Sequence, residues 1–358
     1  MKTLTYLLIQ LGAIGLMAAE PAAKPAAKLD ARYPYRLTWA NDHLAWYQIT
    51  PGKFPPDHSD RRISGELIKM DAANRSGQFR KTTTGEVVDF TMLPFGTARY
   101  LNAECDLRDI PLGTQMLFFL YEDGQGNLNR VSQMIDEYTV LASHGWTQRL
   151  DAVDLKAKKI SITKQKLSKN QLDLGKSELL IDEQTQIWKE DDRIEPEDLV
   201  LGDLLLMNVT GKTAASVPRC TDIWVGTNTH ARVTLDQWSK RTETMLKEGL
   251  PAWVEENKDG QLSVMLFSNA KKDFKTFVTD KFKPGKEVSL VKTDDRLRPS
   301  RVIAVSNVRE LKSVPVEGYG SSGIRMIFDV TGTIVSAQPG TFVRVVWHKA
   351  DDVEAKIP

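Results

Sequence analysis

The sequence predicts a mainly β protein built from tandem small β-barrel (OB-like) modules with one or two short helices. Short apolar or alternating runs of strand length recur between turns rich in Gly, Asp, Asn and Lys, as at Val88–Met92 and Leu262–Leu266. The order of these signals also repeats, because Gly113, Gly202 and Gly285 each come shortly before a strand-like run. A glycine at such a place permits the positive φ of a tight turn into the strand. We therefore expect three copies of one β module.

Two helices are predicted at corresponding places late in the first and second copies. The longer begins at a capping box, Thr234–Gln237, and ends at Gly249. Its predicted apolar stripe consists of Leu235, Trp238, Met245 and Leu246. The shorter is predicted over Ser132–Ser143 and is followed by Gly145. Because each helix ends in a glycine just before the next module, both support the repeat, and strands followed by a helix and a return strand are typical of OB-type barrels.

The amino-terminal residues have the pattern of a secretory signal peptide. Lys2 precedes an uncharged apolar stretch, Leu4–Met17, which ends in the small residues Ala18 and Ala19. The stretch is shorter than the roughly 20 apolar residues that span a bilayer. We expect it to be cleaved, which gives an exported, periplasmic or extracellular protein with no transmembrane segment. A retained hydrophobic tether is the alternative, and the cleavage site is left open.

A chain of 358 residues is too long for one small core and predicts several modules. The predicted organisation is a signal peptide (1–19), a spacer and aromatic, proline-rich arm (20–62), and three β-barrel modules at 63–146, 147–250 with its C-terminal helix, and 251–358 with C-terminal strands.

Charge and cysteine content exclude some classes of function. The formal net charge is +1, so no overall field attracts polyanions, and no dedicated nucleic-acid partner is expected. The two cysteines, Cys105 and Cys220, could form a disulfide in an exported protein or remain as two buried thiols. There is no Cys-x-x-Cys pair for zinc or redox chemistry, and no cofactor is predicted.

The second module carries a motif that resembles known families. The segment Glu178–Trp188 followed by Ile194–Leu204 is similar to bacterial exported families of unknown function with repeated small β-barrel modules. The first and third modules match more loosely, and the first has Gly113-Thr114 where the pattern has Gly-Asp. The resemblance implies a barrel fold and export. It implies no activity, because such families carry none that could be transferred.

Three groups of side chains are candidates for chemistry or binding. Cys220 lies near Asp222 and His230, which makes this group the first candidate for a catalytic site, although its apolar neighbours favour a buried, inert thiol. The loop with Asp57, His58 and Asp60 could supply metal ligands, but a solvated turn explains it more simply. The candidate ligand-binding aromatics are Tyr33, Tyr35, Trp39 and Trp46, for which burial against the first module is the alternative.

The leading functional hypothesis is a non-enzymatic, exported binding or assembly protein that contacts another protein or an envelope polymer. It follows from serial β modules, a net charge near zero and the lack of a complete catalytic motif. A hydrolase with a site between modules is one alternative. A binder of oligosaccharides or single-stranded nucleic acid is another, and burial of Trp188, Trp224 and Trp253 would count against it.

Overall fold

The computed structural model describes residues 60–72, 74–123, 125–166, 173–213, 216–267, 272–292, 301–315, 321–331 and 334–347. These residues form three small closed β-barrels in series, so the predicted fold class is confirmed. No helix among them is long and apolar enough to span a membrane.

Barrel 1 has the strand order of an OB-type barrel. Its strands are β1 (Arg61–Asp71), β2 (Ser76–Lys81), β3 (Val87–Tyr100), β4 (Ala103–Cys105), β5 (Gln115–Glu122) and β6 (Leu128–Asp136). The first three form an antiparallel meander, β5 returns beside β1, and β6 closes the barrel by pairing in parallel with β3. Stacked rings of Phe79 and Phe118, with centroids 4.1 Å apart, lie in its core. The short β4 extends β3 at the edge.

Barrel 2 repeats this order. Its strands are β7 (Trp146–Asp154), β8 (Lys159–Lys166), β9 (Asp173–Leu180), β10 (Gln186–Lys189), β11 (Asp192–Ile194), β12 (Leu204–Thr210) and β13 (Arg219–Val225). The last strand, β13, runs parallel to β9 and β10, and β12 joins it to β7. The pair β9 and β10 therefore occupies the place of β3, and β11 occupies the place of β4.

Barrel 3 closes differently. Its strands are β14 (Leu250–Lys258), β15 (Gln261–Phe267), β16 (Glu287–Lys292), β17 (Arg301–Ser313), β18 (Ser321–Asp329) and β19 (Phe342–Val346). They form a closed barrel in the order β14-β15-β18-β17-β16-β19, with every pair antiparallel. The third module is therefore a barrel of different strand order, and not a third copy of the first two.

The described residues contain three α-helices, α1 (Glu137–Ser143), α2 (Thr227–Glu248) and α3 (Lys272–Lys281), and two short 3-10 helices, Leu107–Asp109 and Pro196–Asp198. The helix predicted from Ser132 was placed too early, because residues up to Asp136 continue β6 and the Asp136 carboxylate caps α1 by accepting from Thr139 N–H. The helix predicted from Thr234 begins instead at Thr227, directly after Gly226.

The predicted apolar stripe of α2 is only partly correct. Leu235 is 62% exposed, whereas Met245 is buried. The buried face of α2 is largely polar and consists of Thr229, His230, Gln237, Arg241 and Met245. The helix therefore packs through a polar face, which a search for apolar periodicity does not detect.

The glycine turns that suggested the repeat share one geometry. Gly113 and Gly202 have φ of +90° and +92°. The N–H of Gly113 donates to Leu67 O at 2.7 Å, and that of Gly202 donates to Leu150 O at 2.8 Å. Leu67 and Leu150 each lie at a β-bulge in the first strand of their barrel. These two glycines are therefore structural counterparts.

In barrel 3 the same turn occurs twice. Gly285, with φ of +83°, donates to Val308 O at 2.7 Å, but Val308 belongs to β17 and not to the first strand. Gly340, with φ of +87°, donates to Val254 O at 2.7 Å in the first strand, β14. The counterpart of Gly113 and Gly202 is therefore Gly340, and the assignment of Gly285 to that place was wrong.

We expect Gly202→Ala to lower the stability of barrel 2 by about 1–2 kcal/mol, because an L-residue is strained at positive φ. No atom of the described residues lies within 4 Å of the point that a Cβ on Gly202 would occupy, so steric clash does not contribute. The measurement is the urea unfolding midpoint. Leu201→Ala on the same turn, where the side chain is 65% exposed, is the matched control and should shift the midpoint little. Equal shifts in the two variants would contradict the strain argument.

Candidate functional site at the junction of the barrels

Aromatic side chains join barrel 1 to its neighbours. Between barrels 1 and 3, the ring of Phe95 meets the edge of Trp253 with centroids 5.8 Å apart, and Trp253 is fully buried. Between α1 and barrel 2, the rings of Tyr138 and Trp224 meet edge to face with their centroids 5.1 Å apart. The Tyr138 hydroxyl donates to the backbone oxygen of His230 at 2.8 Å, which also ties α1 to α2. Each junction is thus a buried packing surface.

A buried carboxylate lies at the junction of barrels 1 and 2. Asp136 is fully buried and accepts hydrogen bonds from Leu101 N–H at 3.1 Å, Thr139 N–H at 3.0 Å and the Asn208 side-chain amide at 2.9 Å. Asn208 belongs to barrel 2, and its Oδ1 accepts from Tyr138 N–H at 3.2 Å. Burial raises the pKa of Asp136, and these donors oppose that shift. The group connects the end of β6, the start of α1 and β12.

Helix α2, which follows barrel 2, is held against barrel 1 by charge. Arg241 lies 3.3 Å from Glu104 of β4, and each side chain is only 9% exposed. Lys240 lies 2.5 Å from Asp109, whose side chain is 8% exposed. The Gln237 amide also donates to Asp109 at 3.2 Å. Three neighbouring contacts on one face of the helix therefore engage the edge of barrel 1.

The end of α2 links barrels 1 and 3. Glu248 lies 3.3 Å from Arg108 of barrel 1 and 3.2 Å from Arg344 of barrel 3. Arg344 also donates to Gly249 O at 3.1 Å. Burial lowers the pKa of Arg344, and Glu248 opposes that shift. A single carboxylate at the helix end thus contacts cations from two barrels.

The structure places Cys220 in the core of barrel 2. Its side chain is fully buried, its Sγ lies 3.7 Å from Met207 Sδ, and burial raises the pKa of the thiol. Cys105 is also buried, and both cysteines are free. Burial therefore disfavours the thiolate that a nucleophile requires.

His230 has a different set of partners. On α2, its Nε2 lies 2.8 Å from Trp224 O, and burial lowers the pKa of the ring. Asp222 lies on β13, where burial raises the pKa of its carboxyl. The Cys220 thiol and the His230 ring thus contact separate groups, Met207 and Trp224, and catalysis by Cys220, Asp222 and His230 stays a prediction.

Most of the other predicted site residues lie outside the described residues. These are Tyr33, Tyr35, Trp39, Trp46, Asp57 and His58. Asp60 is described, is 1% exposed and accepts from Arg62 Nε at 3.4 Å. In the described part of the chain, no group of three His, Cys, Asp or Glu residues is placed to hold a metal ion.

Two of the three indoles that could have supported a stacking surface are buried. Trp224 is 5% exposed and Trp253 is fully buried, whereas Trp188 is only partly buried. Both buried indoles lie at junctions between barrels. Their aromatic area is therefore used for packing and is not available to stack on a base or a sugar.

Sequence reasoning did not find the contacts of α2 with barrel 1. One local signal was present, since Asp106 and Asp109 form a capping box around a short 3-10 helix, Leu107–Asp109. A second was the spacing of Gln237, Arg241 and Met245 on one face of the helix. Neither signal indicates the partner surface, because Glu104 and Arg241 are 137 residues apart.

Comparison with known proteins gives no family. No protein-family model matches the sequence, and no curated protein matches it. The crystal structure of Ag(I)CusF is similar to part of the chain, with 20% sequence identity, coverage of 23% of this chain and 93% of that chain, and a TM-score of 0.17. At that score the likeness carries no argument about this chain. The resemblance to exported families stays a prediction.

We expect the Glu104–Arg241 pair to show strong coupling in a double-mutant cycle. Glu104→Leu or Arg241→Leu alone leaves a buried charge without its partner, which costs about 3–5 kcal/mol. The double variant removes both charges, so its free energy of unfolding should fall by much less than the sum of the two single-variant decreases. Chemical denaturation measures all four proteins. The exposed pair Arg309 and Asp329, 3.2 Å apart, is the control and should show weak coupling. Additive losses at Glu104 and Arg241 would contradict the buried-pair argument.

We expect His230 to make the fold less stable in mild acid. The pKa of His230 in the fold lies below the unfolded value of about 6.5. The contribution of the neutral ring to folding stability is therefore complete above that pH and is lost as the pH falls through the folded pKa. Thermal unfolding is measured at about pH 7.5 and 5.5. Between these pH values the unfolding temperature should fall less for His230→Gln than for the parent protein. His144→Gln, at an exposed histidine, is the control. The pKa values of Asp136 and Asp222 are raised in the fold, so these carboxyls favour folding at lower pH, opposite to His230. Their effect is the same in all three proteins and cancels in the comparison.

Proposed function

We propose that this protein is an exported, non-enzymatic binding or assembly protein whose three barrels act together as one surface for another protein or an envelope polymer. The observation that carries the proposal is the way the barrels are joined. Aromatic contacts, the Asp136–Asn208 bond and the charged face of α2 bury side chains between barrels. A body joined in this way can present residues of several barrels at fixed distances.

The placement of the ionisable groups supports binding over catalysis. Catalytic groups typically have perturbed pKa values and face a cleft in which they contact the substrate. Here three of the buried groups with shifted pKa values make structural contacts instead: Asp136 accepts from Asn208 of barrel 2, the His230 ring lies against Trp224 O, and Arg344 donates to Gly249 O at the end of α2. These groups therefore serve contacts within the fold, and their hydrogen bonds offset the cost of burying them. Export is supported by the amino-terminal sequence pattern, which lies outside the described residues.

The test is affinity capture of the tagged full chain from its native envelope fraction, followed by identification of bound proteins and glycans. We expect a specific protein or polymer that is lost when Arg241→Leu loosens α2 from barrel 1. Glu243→Lys, on the exposed side of the same helix, is the control and should retain the partner. Absence of the chain from exported fractions, or no specific partner together with turnover in a broad hydrolase screen, would overturn the proposal.

A further inference from the structure

Barrel 3 contains the same series of elements twice. Its first half consists of the antiparallel strands β14 and β15, helix α3 and strand β16. Its second half consists of the antiparallel strands β17 and β18, a turn at Val335–Ser336 and strand β19. A Pro-Gly pair comes shortly before the third strand of each half, at Pro284-Gly285 and at Pro339-Gly340. The two halves therefore share one order of elements.

The backbone hydrogen bonds of the two Pro-Gly turns correspond one for one. Gly285 of the first half donates to Val308 O in β17, and Gly340 of the second half donates to Val254 O in β14, both at 2.7 Å. Each valine donates back, at 2.9 Å, to the carbonyl of the residue that follows the glycine. Val254 and Val308 also each lie at a β-bulge in the first strand of their half. Each turn therefore binds the first strand of the other half in the same way.

The contact between β15 and β18, which joins the two halves, is self-complementary. The two bulge valines pair with Val264 of β15 and Phe328 of β18, which are therefore counterparts. Two residues earlier on the same strands, Leu262 and Met326 are counterparts as well. Between the halves, Leu262 pairs with Phe328 and Val264 pairs with Met326. When every residue is replaced by its counterpart, the first of these pairs becomes the second.

The contact between β16 and β19 has the same property. Leu290 and Val345 occupy the same place after the glycine of their turn, so they are counterparts, and they pair with each other. The residue before Leu290 pairs with the residue after Val345, and the residue after Leu290 pairs with the residue before Val345. Contacts in which residue i meets j and j meets i are those of a two-fold axis. The axis of barrel 3 therefore passes between Leu290 and Val345.

The two halves are also interlocked. Among the described strands, β16 of the first half pairs only with β17 and β19 of the second half. In the same way, β19 of the second half pairs only with β14 and β16 of the first half. The third strand of each half thus belongs to the sheet of the other half, and neither half closes a barrel by itself.

We infer that barrel 3 is an internal duplication of one unit, two antiparallel strands followed by a connecting segment and a third strand, and that its halves are joined as the subunits of a two-fold homodimer are. The surface between the halves fits a second copy of the same unit, and this chain supplies that copy itself. The connecting segments differ most, because α3 lies in the first half where the second half has a turn. The duplication does not depend on the proposed function.

Closure of a barrel does not by itself produce this agreement. A closed sheet needs every strand to pair on both sides, but it does not need the same bulge and the same turn at matching places in two halves. Barrels 1 and 2 show the difference. Each has this turn once among its described residues, at Gly113 and at Gly202, and each closes through parallel strands.

The test exchanges two residues across the axis of the full protein. Leu290 and Val345 are both fully buried, and Leu290→Val together with Val345→Leu gives the image of the native pair under the two-fold rotation. We expect the urea unfolding midpoint to fall less in this double variant than in either single variant. The reason is that one single change leaves a cavity and the other overpacks the core.

The matched control is Leu250→Val together with Val345→Leu. Leu250 is also fully buried and also pairs with Val345, so the residue types and the contact are the same. The counterpart of Leu250 is Ala304, however, and not Val345. The exchanged side chains therefore meet surroundings that are not equivalent, and the midpoint should fall further than in the exchange across the axis.

A second measurement needs no core substitution. Amide hydrogen exchange of the parent protein should give Gly285 and Gly340 protection factors that agree within about ten-fold, because their N–H groups make equivalent bonds in one interlocked barrel. A larger difference between the two glycines would overturn the inference. So would an exchange across the axis that lowers the midpoint as far as the control exchange does.

Discussion

The docking of α2 on barrel 1 is the constraint on which the arrangement of the molecule depends. Helix α2 connects β13 of barrel 2 to β14 of barrel 3, yet its buried face contacts barrel 1 through Arg241 and Glu104. A helix fixed at both ends and along one face leaves little freedom to the barrels that it joins. Glu248 adds to this effect, because it contacts cations of barrels 1 and 3 at once.

The polar character of these junctions affects their specificity more than their strength. Burying a charge pair costs desolvation that the attraction only roughly offsets, but an incorrectly placed partner leaves a buried charge uncompensated. The same reasoning holds for Asp136 between barrels 1 and 2, whose oxygens accept from two backbone N–H groups and from Asn208. Another arrangement of the two barrels would leave this buried carboxylate without the Asn208 donor. Apolar contacts such as Phe95 with Trp253 contribute area, while the polar contacts select one arrangement.

The sequence predicted those features that depend on local chemistry. Gly113 and Gly202 could be matched because a positive φ restricts the residue at the turn, whereas Gly340 was overlooked because Gly285 offers the same turn in the same barrel. The start of α2 was missed because its cap, Gly226, offers no side-chain hydrogen bond. The junction itself could not be predicted, because pairs such as Glu104 and Arg241 meet only after two barrels have closed, and their polar helix face has no apolar period.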